Sequence, residues 1–536
     1  EVSRKMSSEE VKRNSISCFL LRTAERWPNK PAVTFSGVTR TWLETKERCH
    51  AAATLFRRLG VEKGDRIAYL GLNSNVCFET YYSPALIGAV FVPINHRLSI
   101  GEMKECLDDC APKLLIVDEN FGEHGKRLAK SCESLQETIY SGQMLRSEEG
   151  VSYEDSVKAI ISSEEYCELS PSSEDEVVIF FYTGGTTGRS KGVMLTNNNL
   201  VCNTNCTIPL YRMKQHWAFV IVGPLFHVAA GSRVFSCAVL AGHAVILSKF
   251  DVTALLGVIE KYKINSATLV PTMYQLILDH PKFRSFDLSS LKMLASGAAP
   301  LSDALLRRIL AVFPTTEFFQ TYGMTEASPV LTSLDSKYHV LSGPNSKKLG
   351  SVGRSVEHVD LIIADDQDRE VPPNTIGQIL AKGPNIMKGY WKLTDATQEA
   401  LEGGWYHTGD AGYLDEEGFL YLEGRVKDMI VSGGENIYPI EVENVLENHP
   451  AIHQCAVIGI PHDTWGEAVH AVVTLNKGGK ATEEELINFC KSAIASYKCP
   501  VSVTFRLDPM PLSPINKILK TELRKPFWEG RGSKLV

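Results

Sequence analysis

Residues 183–191 of this 536-residue chain read Thr-Gly-Gly-Thr-Thr-Gly-Arg-Ser-Lys, directly after an apolar, β-prone run at 177–181. Glycines let a backbone approach a ligand closely and turn its N–H groups toward an anion, and small hydroxyl residues add donors without bulk. Thr183, Gly184, Gly185, Thr186, Thr187, Gly188 and Lys191 therefore have the composition of a phosphate cradle. The loop is not of the Walker type, which needs Gly-Lys-Ser/Thr in register, because Arg189 and Ser190 separate Gly188 from Lys191. A plain flexible turn is the competing reading, and the density of donors and cations argues against it.

Other chemistry-bearing residues follow at the ends of short apolar runs. His227 closes Pro224-Leu225-Phe226-His227, and Thr325 and Glu326 close Tyr322-Gly323-Met324-Thr325-Glu326. Asp410 ends Trp405-Tyr406-His407-Thr408-Gly409-Asp410, Arg425 and Lys427 lie in Gly424-Arg425-Val426-Lys427-Asp428, and Lys517 ends Pro514-Ile515-Asn516-Lys517. Taken singly, each has a bland alternative: a solvated loop acid, a structural histidine, an inert surface lysine. Arg233 is odd on the otherwise apolar helix predicted at 228–240; it either meets a second substrate carboxylate or, as the sequence favours, faces away and snorkels.

The elements that must position these residues alternate. Strands predicted at 66–70, 90–93 and 113–117 intersperse with helices at 42–58, 75–88 and 101–109. After the glycine loop, strands at 219–222, 244–247, 266–270, 292–295 and 317–321 alternate with helices at 228–240, 272–280 and 302–312. Such βα alternation implies mostly parallel sheets covered by helices on both faces, with ligands outside the carboxyl ends of the strands. Residues 132–173 are polar, acidic and weakly patterned, and read as a surface connection. From residue 350, short strands at 359–364, 377–382 and 418–422 suggest a small β-rich subdomain. Beyond residue 428, helices at 439–448 and 482–494 and strands at 452–459, 468–475 and 501–506 form a tail long enough to fold alone. The predicted organisation is an α/β N-terminal domain (1–424) of layered βα subdomains plus the β-rich subdomain, a hinge (425–428), and a small mobile α+β C-terminal domain (429–536).

These six motifs, in this order along nearly the whole chain, resemble the adenylate-forming superfamily: acyl- and aryl-CoA synthetases, firefly luciferase and the adenylation domains of peptide synthetases. The resemblance implies two half-reactions on ATP, Mg²⁺ and coenzyme A. A carboxylic acid and MgATP give acyl-AMP and pyrophosphate; coenzyme A then displaces AMP to form a thioester. It implies that Thr183, Thr186, Thr187 and Lys191 meet the β- and γ-phosphates, Thr325 the α-phosphate, and Glu326 the magnesium ion, a hard cation that accepts one or two carboxylates. Asp410, with Arg425, would hold the ribose hydroxyls. Gly297, Ala298 and Ala299, with Gln320, Thr321, Tyr322 and Gly323, resemble the walls of the adenine slot.

By the same resemblance Lys517 bridges the carboxylate and the α-phosphate, although Asn516 stands where the family usually has glycine; Asn also tolerates the left-handed region. Lys427 resembles the hinge residue, and Ser432, Gly433 and Gly434 resemble the loop lining the pantetheine tunnel. His227 would steer the carboxylate or gate that tunnel, and Val228, Ala229, Arg233, Met273 and Met324 are the acyl-pocket candidates. The implied reaction is that of an acyl-CoA synthetase on a medium-chain fatty acid or an aryl acid such as a cinnamate or benzoate. A luciferase-like or stand-alone adenylation enzyme, and a non-catalytic nucleotide or acyl-CoA sensor, are the rivals.

Bulk properties fit this reading. A composition that is 44% hydrophobic and 22% charged is that of an ordinary globular protein, and a net charge of −7 argues against a nucleic-acid partner. No run is long and apolar enough to span a bilayer. The thirteen cysteines form no framework, so a reducing compartment is expected; Cys106/Cys110 and Cys202/Cys206 read as neighbours on helix faces rather than metal ligands. Residues 1–13 do not read as a signal peptide, and Glu1 in first place suggests trimming. Ser533-Lys534-Leu535 would be a peroxisomal address but for Val536, which leaves cytoplasm and peroxisome both open. Monomer and homodimer are equally open.

Overall fold

The computed structural model describes residues 15–142, 150–183, 190–297, 301, 303–425, 428–432, 435–462, 465–512 and 518–529. Gly184, Gly185, Thr186, Thr187, Gly188, Ala298, Ala299, Lys427, Gly433, Gly434 and Lys517, together with the Ser533-Lys534-Leu535 stretch, lie outside them.

Two large sheets dominate the N-terminal part. The first orders its strands as Gly389–Tyr390, Lys191–Thr196, Val177–Thr183, Val90–Ile94, Arg66–Leu70, Leu114–Asp118, Glu137–Ser141 and Val151–Ser152. The second orders Arg354–Ser355, Val330–Leu334, Glu317–Gly323, Met293–Ser296, Ser266–Leu269, Ala218–Ile221, His243–Ile246, Pro31–Phe35 and Val38–Thr41. In both, the interior pairs are parallel and antiparallel pairs occur toward the edges, as βα crossovers require.

The strands are buried on both faces, which is why they are apolar throughout rather than alternating. Period-2 geometry then divides each strand between two cores. Ile67 and Tyr69 point to a central core, and Ala68 and Leu70 to an outer one. Phe219 and Ile221 enter the same central core from the second sheet, while Ala218 and Val220 face outward. The helices Ile16–Arg26, Trp42–Arg58 and Val228–Val239 supply Leu20, Phe56 and Phe235 to the middle. The helix Ile100–Cys110 covers the outer face of the first sheet through Met103 and Leu107. Val252–Tyr262 and Asp303–Val312 cover that of the second through Leu256 and Ile309. The order is helix, sheet, helix, sheet, helix.

Two expectations are corrected. Residues 132–173 are not merely a surface connection: they carry the strand Glu137–Ser141 and the helix Tyr153–Ser163. Tyr153, Val157 and Ile160 of that helix are buried, and the Tyr153 hydroxyl donates to Glu79 Oε2 at 2.8 Å. Glu79 also takes Arg48 Nε at 2.6 Å, so the polar-looking segment completes a buried ion-pair network. The helix predicted at 75–88 is shorter, Asn75–Thr80, followed by a separate 3₁₀ turn at Ala85–Ile87. Pro84 stands between the two, and its ring disfavours helical geometry in the residue before it.

A third sheet, Asp360–Ala364, Gly377–Lys382, Tyr406–Leu414 and Leu420–Arg425, is antiparallel throughout. The C-terminal part pairs Ile452–His462 with Gly466–Leu475, and Ser502–Phe505 runs parallel to the latter. Val442, Leu446 and Leu486 from its helices pack on Ile430, Val457 and Val469. A closing helix, Lys520–Trp528, was not read from the sequence. Cys106 and Cys110 lie on the helix Ile100–Cys110, Cys202 and Cys206 on the helix Asn197–Leu210, all as buried free thiols.

Candidate active site

Parallel register brings the ends of neighbouring strands level. Leu269 pairs with Ser296, and Ser296 with Gln320, so three strands of the second sheet finish in one row. Along that row Ser296 Oγ and Gln320 Oε1 are buried without a hydrogen-bond partner among the described residues. Buried polar atoms are nearly always paired, so two orphans side by side toward the carboxyl edge of a parallel sheet mark a place that a polar ligand completes. Gly297 follows Ser296, and a Cβ there would stand 2.7 Å from Thr321 Oγ1. At Gly323 a Cβ would stand 1.9 Å from the carbonyl oxygen of Pro329, so only glycine lets the strand turn into the Thr325–Ala327 segment.

Asp410 sits on Tyr406–Leu414 directly opposite Arg425 on the next strand. Its Oδ1 takes Arg425 Nε at 2.8 Å and its Oδ2 takes the Tyr322 hydroxyl at 2.7 Å. Burial first, then the Asp410 charge, holds the Tyr322 hydroxyl well above the usual tyrosine range, so it stays a donor. A carboxylate has about four acceptor positions, so it can serve several hydroxyl donors besides the guanidinium.

Glu326 is half-buried, and its Oε1 accepts from the Tyr390 hydroxyl at 3.0 Å. Burial pushes its carboxyl up; hydrogen bonds and the Arg425 and Lys191 charges pull the other way. Lys191, opening the strand that pairs with Thr183, places its ammonium 4.8 Å from the centre of the Tyr390 ring. Arg425 acts on both Asp410 and Glu326, so residues 410 and 326, far apart in sequence, share one electrostatic cluster with Lys191 and Tyr322. Glu326, a hard oxygen donor raised by burial and in no ion pair among the described residues, suits a Mg²⁺ ion that takes one carboxylate and fills its remaining positions from phosphate and water. Among the described residues no group of three His, Cys, Asp or Glu side chains could hold a metal by itself.

His227 caps the helix Val228–Val239, its ring 4.4 Å from that of Phe226. Val228 is buried in the central core, Ala229 is half-buried, and Met324 packs between the central core and that of the third sheet. Met273 instead packs against the outer core of the second sheet, so the structure does not bring it together with the other acyl-pocket candidates. Arg233 does not snorkel: only 6% of its surface is exposed, which corrects the reading that it faces solvent. Ser432 lies far along the chain on Ile430–Ser432, paired with Gly466.

Three contributors were not read from the sequence. Tyr390 sits in an edge strand of two residues, too short to signal itself. Tyr211 ends the helix Asn197–Leu210, whose asparagines obscured it. Asn199 of that helix donates to the carbonyls of Pro384 and Ile386 at 2.9 and 2.7 Å, and so ties down the segment whose Met387 N–H donates to the Glu326 carbonyl.

Comparison with known proteins agrees with this arrangement. The AMP-binding enzyme family matches residues 20–391, and the AMP-binding enzyme C-terminal domain matches residues 441–517. A feruloyl-CoA synthase of an Amycolatopsis species is 38% identical over 96% of this chain and 100% of its own. A long-chain-fatty-acid–CoA ligase of Bacillus subtilis is 33% identical over 96% and 95%. Among solved structures, the o-succinylbenzoate CoA synthetase of Bacillus subtilis in complex with ATP and magnesium ion is 29% identical, with a TM-score of 0.82 over 94% of this chain and 98% of that one. With its six motifs in order, its strand ends level and its two carboxylates joined through Arg425, the chain belongs to the AMP-binding, adenylate-forming enzymes, in their acyl- and aryl-CoA synthetase branch.

Proposed function

We propose that this AMP-forming acid–thiol ligase activates an aryl acid of the cinnamate or benzoate type, or a medium-chain fatty acid, and passes it to coenzyme A. The supporting observation is the pair of orphaned polar atoms at Ser296 and Gln320 together with the Asp410–Arg425–Glu326 cluster, a set suited to an adenine edge, a ribose and a cation. A relative named for ferulate and one named for fatty acids support both acid classes.

The roles follow from charge. A carboxylate acylates poorly until one oxygen becomes a phosphate-ester leaving group, and the obstacle is the negative charge gathered during in-line attack. Asp410 and Arg425 fix the ribose, Gly297, Ala298, Ala299 and Gln320–Gly323 flank the base, and Thr325 faces the α-phosphate. Thr183, Gly184, Gly185, Thr186, Thr187, Gly188 and Lys191 cradle the β- and γ-phosphates. Glu326 would hold Mg²⁺, which neutralises phosphate charge when bound. Lys517 meets the carboxylate and α-phosphate, while residues 425–428 about Lys427 swing the C-terminal domain so that Ser432, Gly433 and Gly434 line the thiol's path. His227 stands at the carboxylate end of the acid pocket. No helix among the described residues is long and apolar enough to cross a membrane. The peroxisomal reading of Ser533-Lys534-Leu535 gains no support from the bacterial relatives.

The test is pyrophosphate release across a panel of acids, with and without coenzyme A. Turnover on one class, sustained only with coenzyme A, is expected. Release that does not need coenzyme A favours another acceptor, and ATP binding without release on any acid favours the sensor. Lys517→Ala is expected to abolish acid-dependent pyrophosphate release yet spare thioester formation from supplied acyl-AMP; loss of both steps together contradicts the division of labour.

A further inference from the structure

Arg233 carries a charge that the described chain answers only through Tyr211, with no carboxylate. It is 94% buried by its 6% exposure, and neither its Nε nor its Nη1 has a hydrogen-bond partner among the described residues. Its guanidinium carbon lies 5.1 Å from the centre of the Tyr211 ring. The Tyr211 hydroxyl in turn responds to both Arg233 and Thr321, which sits over Gly297 at the strand-end row. Burial is what most disfavours the charged guanidinium, and only Tyr211 works in the other direction; no carboxylate of the described residues acts on it. An unanswered buried cation is among the costliest things a fold can hold, and one that persists is compensated by something absent from the folded chain.

Its position says what that is. Arg233 follows His227 by six residues on one helix, so it stands roughly 9 Å further along the axis from the carboxylate end of the pocket. Tyr211 beside it carries a hydroxyl, and a guanidinium is a donor only, so the group that fits is one of acceptors. We infer that the acid carries a second carboxylate, at the end remote from the one activated, and that Arg233 with Tyr211 receives it. This rests on the ligase reading and narrows it to aryl diacids substituted across the ring or medium-chain dicarboxylic acids.

Matched pairs test it: octanoate against octanedioate, and 4-methylcinnamate against 4-carboxycinnamate, by pyrophosphate release and by calorimetric titration of each acid. The wild-type enzyme is expected to prefer the diacid at least tenfold in kcat/KM, chiefly through KM. Arg233→Met is expected to reverse the preference, and Arg233→Lys, which keeps the charge without the planar fork, to restore part of it. Monoacid preference in the wild-type enzyme overturns the inference, as does a Met variant that keeps its diacid preference. The wild-type comparison decides even where Arg233→Met does not fold. Diacid binding that needs Arg233, with no pyrophosphate released, upholds the recognition site and overturns the ligase reading instead.

Discussion

Asp410 shows how a residue can be legible while its setting is not. Its motif marks it, but the two partners that define its work, Tyr322 and Arg425, come from another sheet and from the opposing strand. Asp410→Asn keeps the shape and gives up the charge and part of the acceptor capacity. Hydrogen bonds to charged groups contribute about 1.5–3 kcal/mol, so ATP binding is expected to weaken roughly ten- to hundredfold by calorimetry. Unchanged ATP affinity removes Asp410 from the ribose. Arg233 is the opposite case. Sequence alone flagged it as out of place on an apolar helix and then assigned it to solvent, because snorkelling is the ordinary fate of such a residue. Only three-dimensional packing reveals that the side chain is turned inward, with 6% of its surface exposed.

At the scale of elements, periodicity carried the strands and most helices, since a strand buried on both faces must be apolar and its neighbouring helices must be amphipathic. The segments 132–173 and 197–210 were missed for one reason: part of what they bury is polar. The helix Asn197–Leu210 begins with three asparagines and buries Asn197, Asn199 and Asn203, which a hydrophobicity pattern reads as loop. Asn197 Oδ1 accepts from the Ile16 N–H at 3.0 Å, and Asn203 Oδ1 accepts from the Val330 N–H at 3.3 Å, so this helix staples elements remote in sequence. Asn199→Ala removes two part-buried hydrogen bonds and is expected to cost about 0.5–1.5 kcal/mol in denaturant unfolding. The loss should also loosen the strand bearing Tyr390, raising the KM for ATP. A stability loss below a few tenths of a kcal/mol means that water replaces the amide.

For the whole molecule, what matters is where the C-terminal part meets the rest, and there Glu423 is the telling group. It lies on Leu420–Arg425, just before the proposed hinge, and faces Glu441 of the helix Pro439–Glu447 and Lys498 of the turn Ser496–Lys498. Tyr413 on the adjacent strand and Tyr438 also respond to it. Burial, and then the Glu441 charge, push the Glu423 carboxyl up to about 7, while Lys498 acts the other way and is itself engaged by Glu441 at 2.7 Å. A carboxyl whose pKa is raised in the docked state favours docking while it is protonated, and that contribution is lost as pH rises through about 7. The arrangement of Leu420–Arg425 against Pro439–Glu447 should therefore weaken between pH 6 and pH 8. Hydrogen exchange of these two segments, corrected for the intrinsic pH dependence, is expected to show protection falling across that range in the wild-type enzyme. Glu423→Gln, which keeps the neutral form at every pH, is expected to hold protection level. If the enzyme alternates between two domain arrangements, this carboxyl biases the choice from within the seam. Rising pH then frees the C-terminal domain to leave the observed arrangement, and Glu423→Gln should shift the pH profile of overall turnover while leaving that of pyrophosphate release with excess acid nearer its original place. Protection that is equally flat in both proteins shows that Glu423 ionises without disturbing the seam.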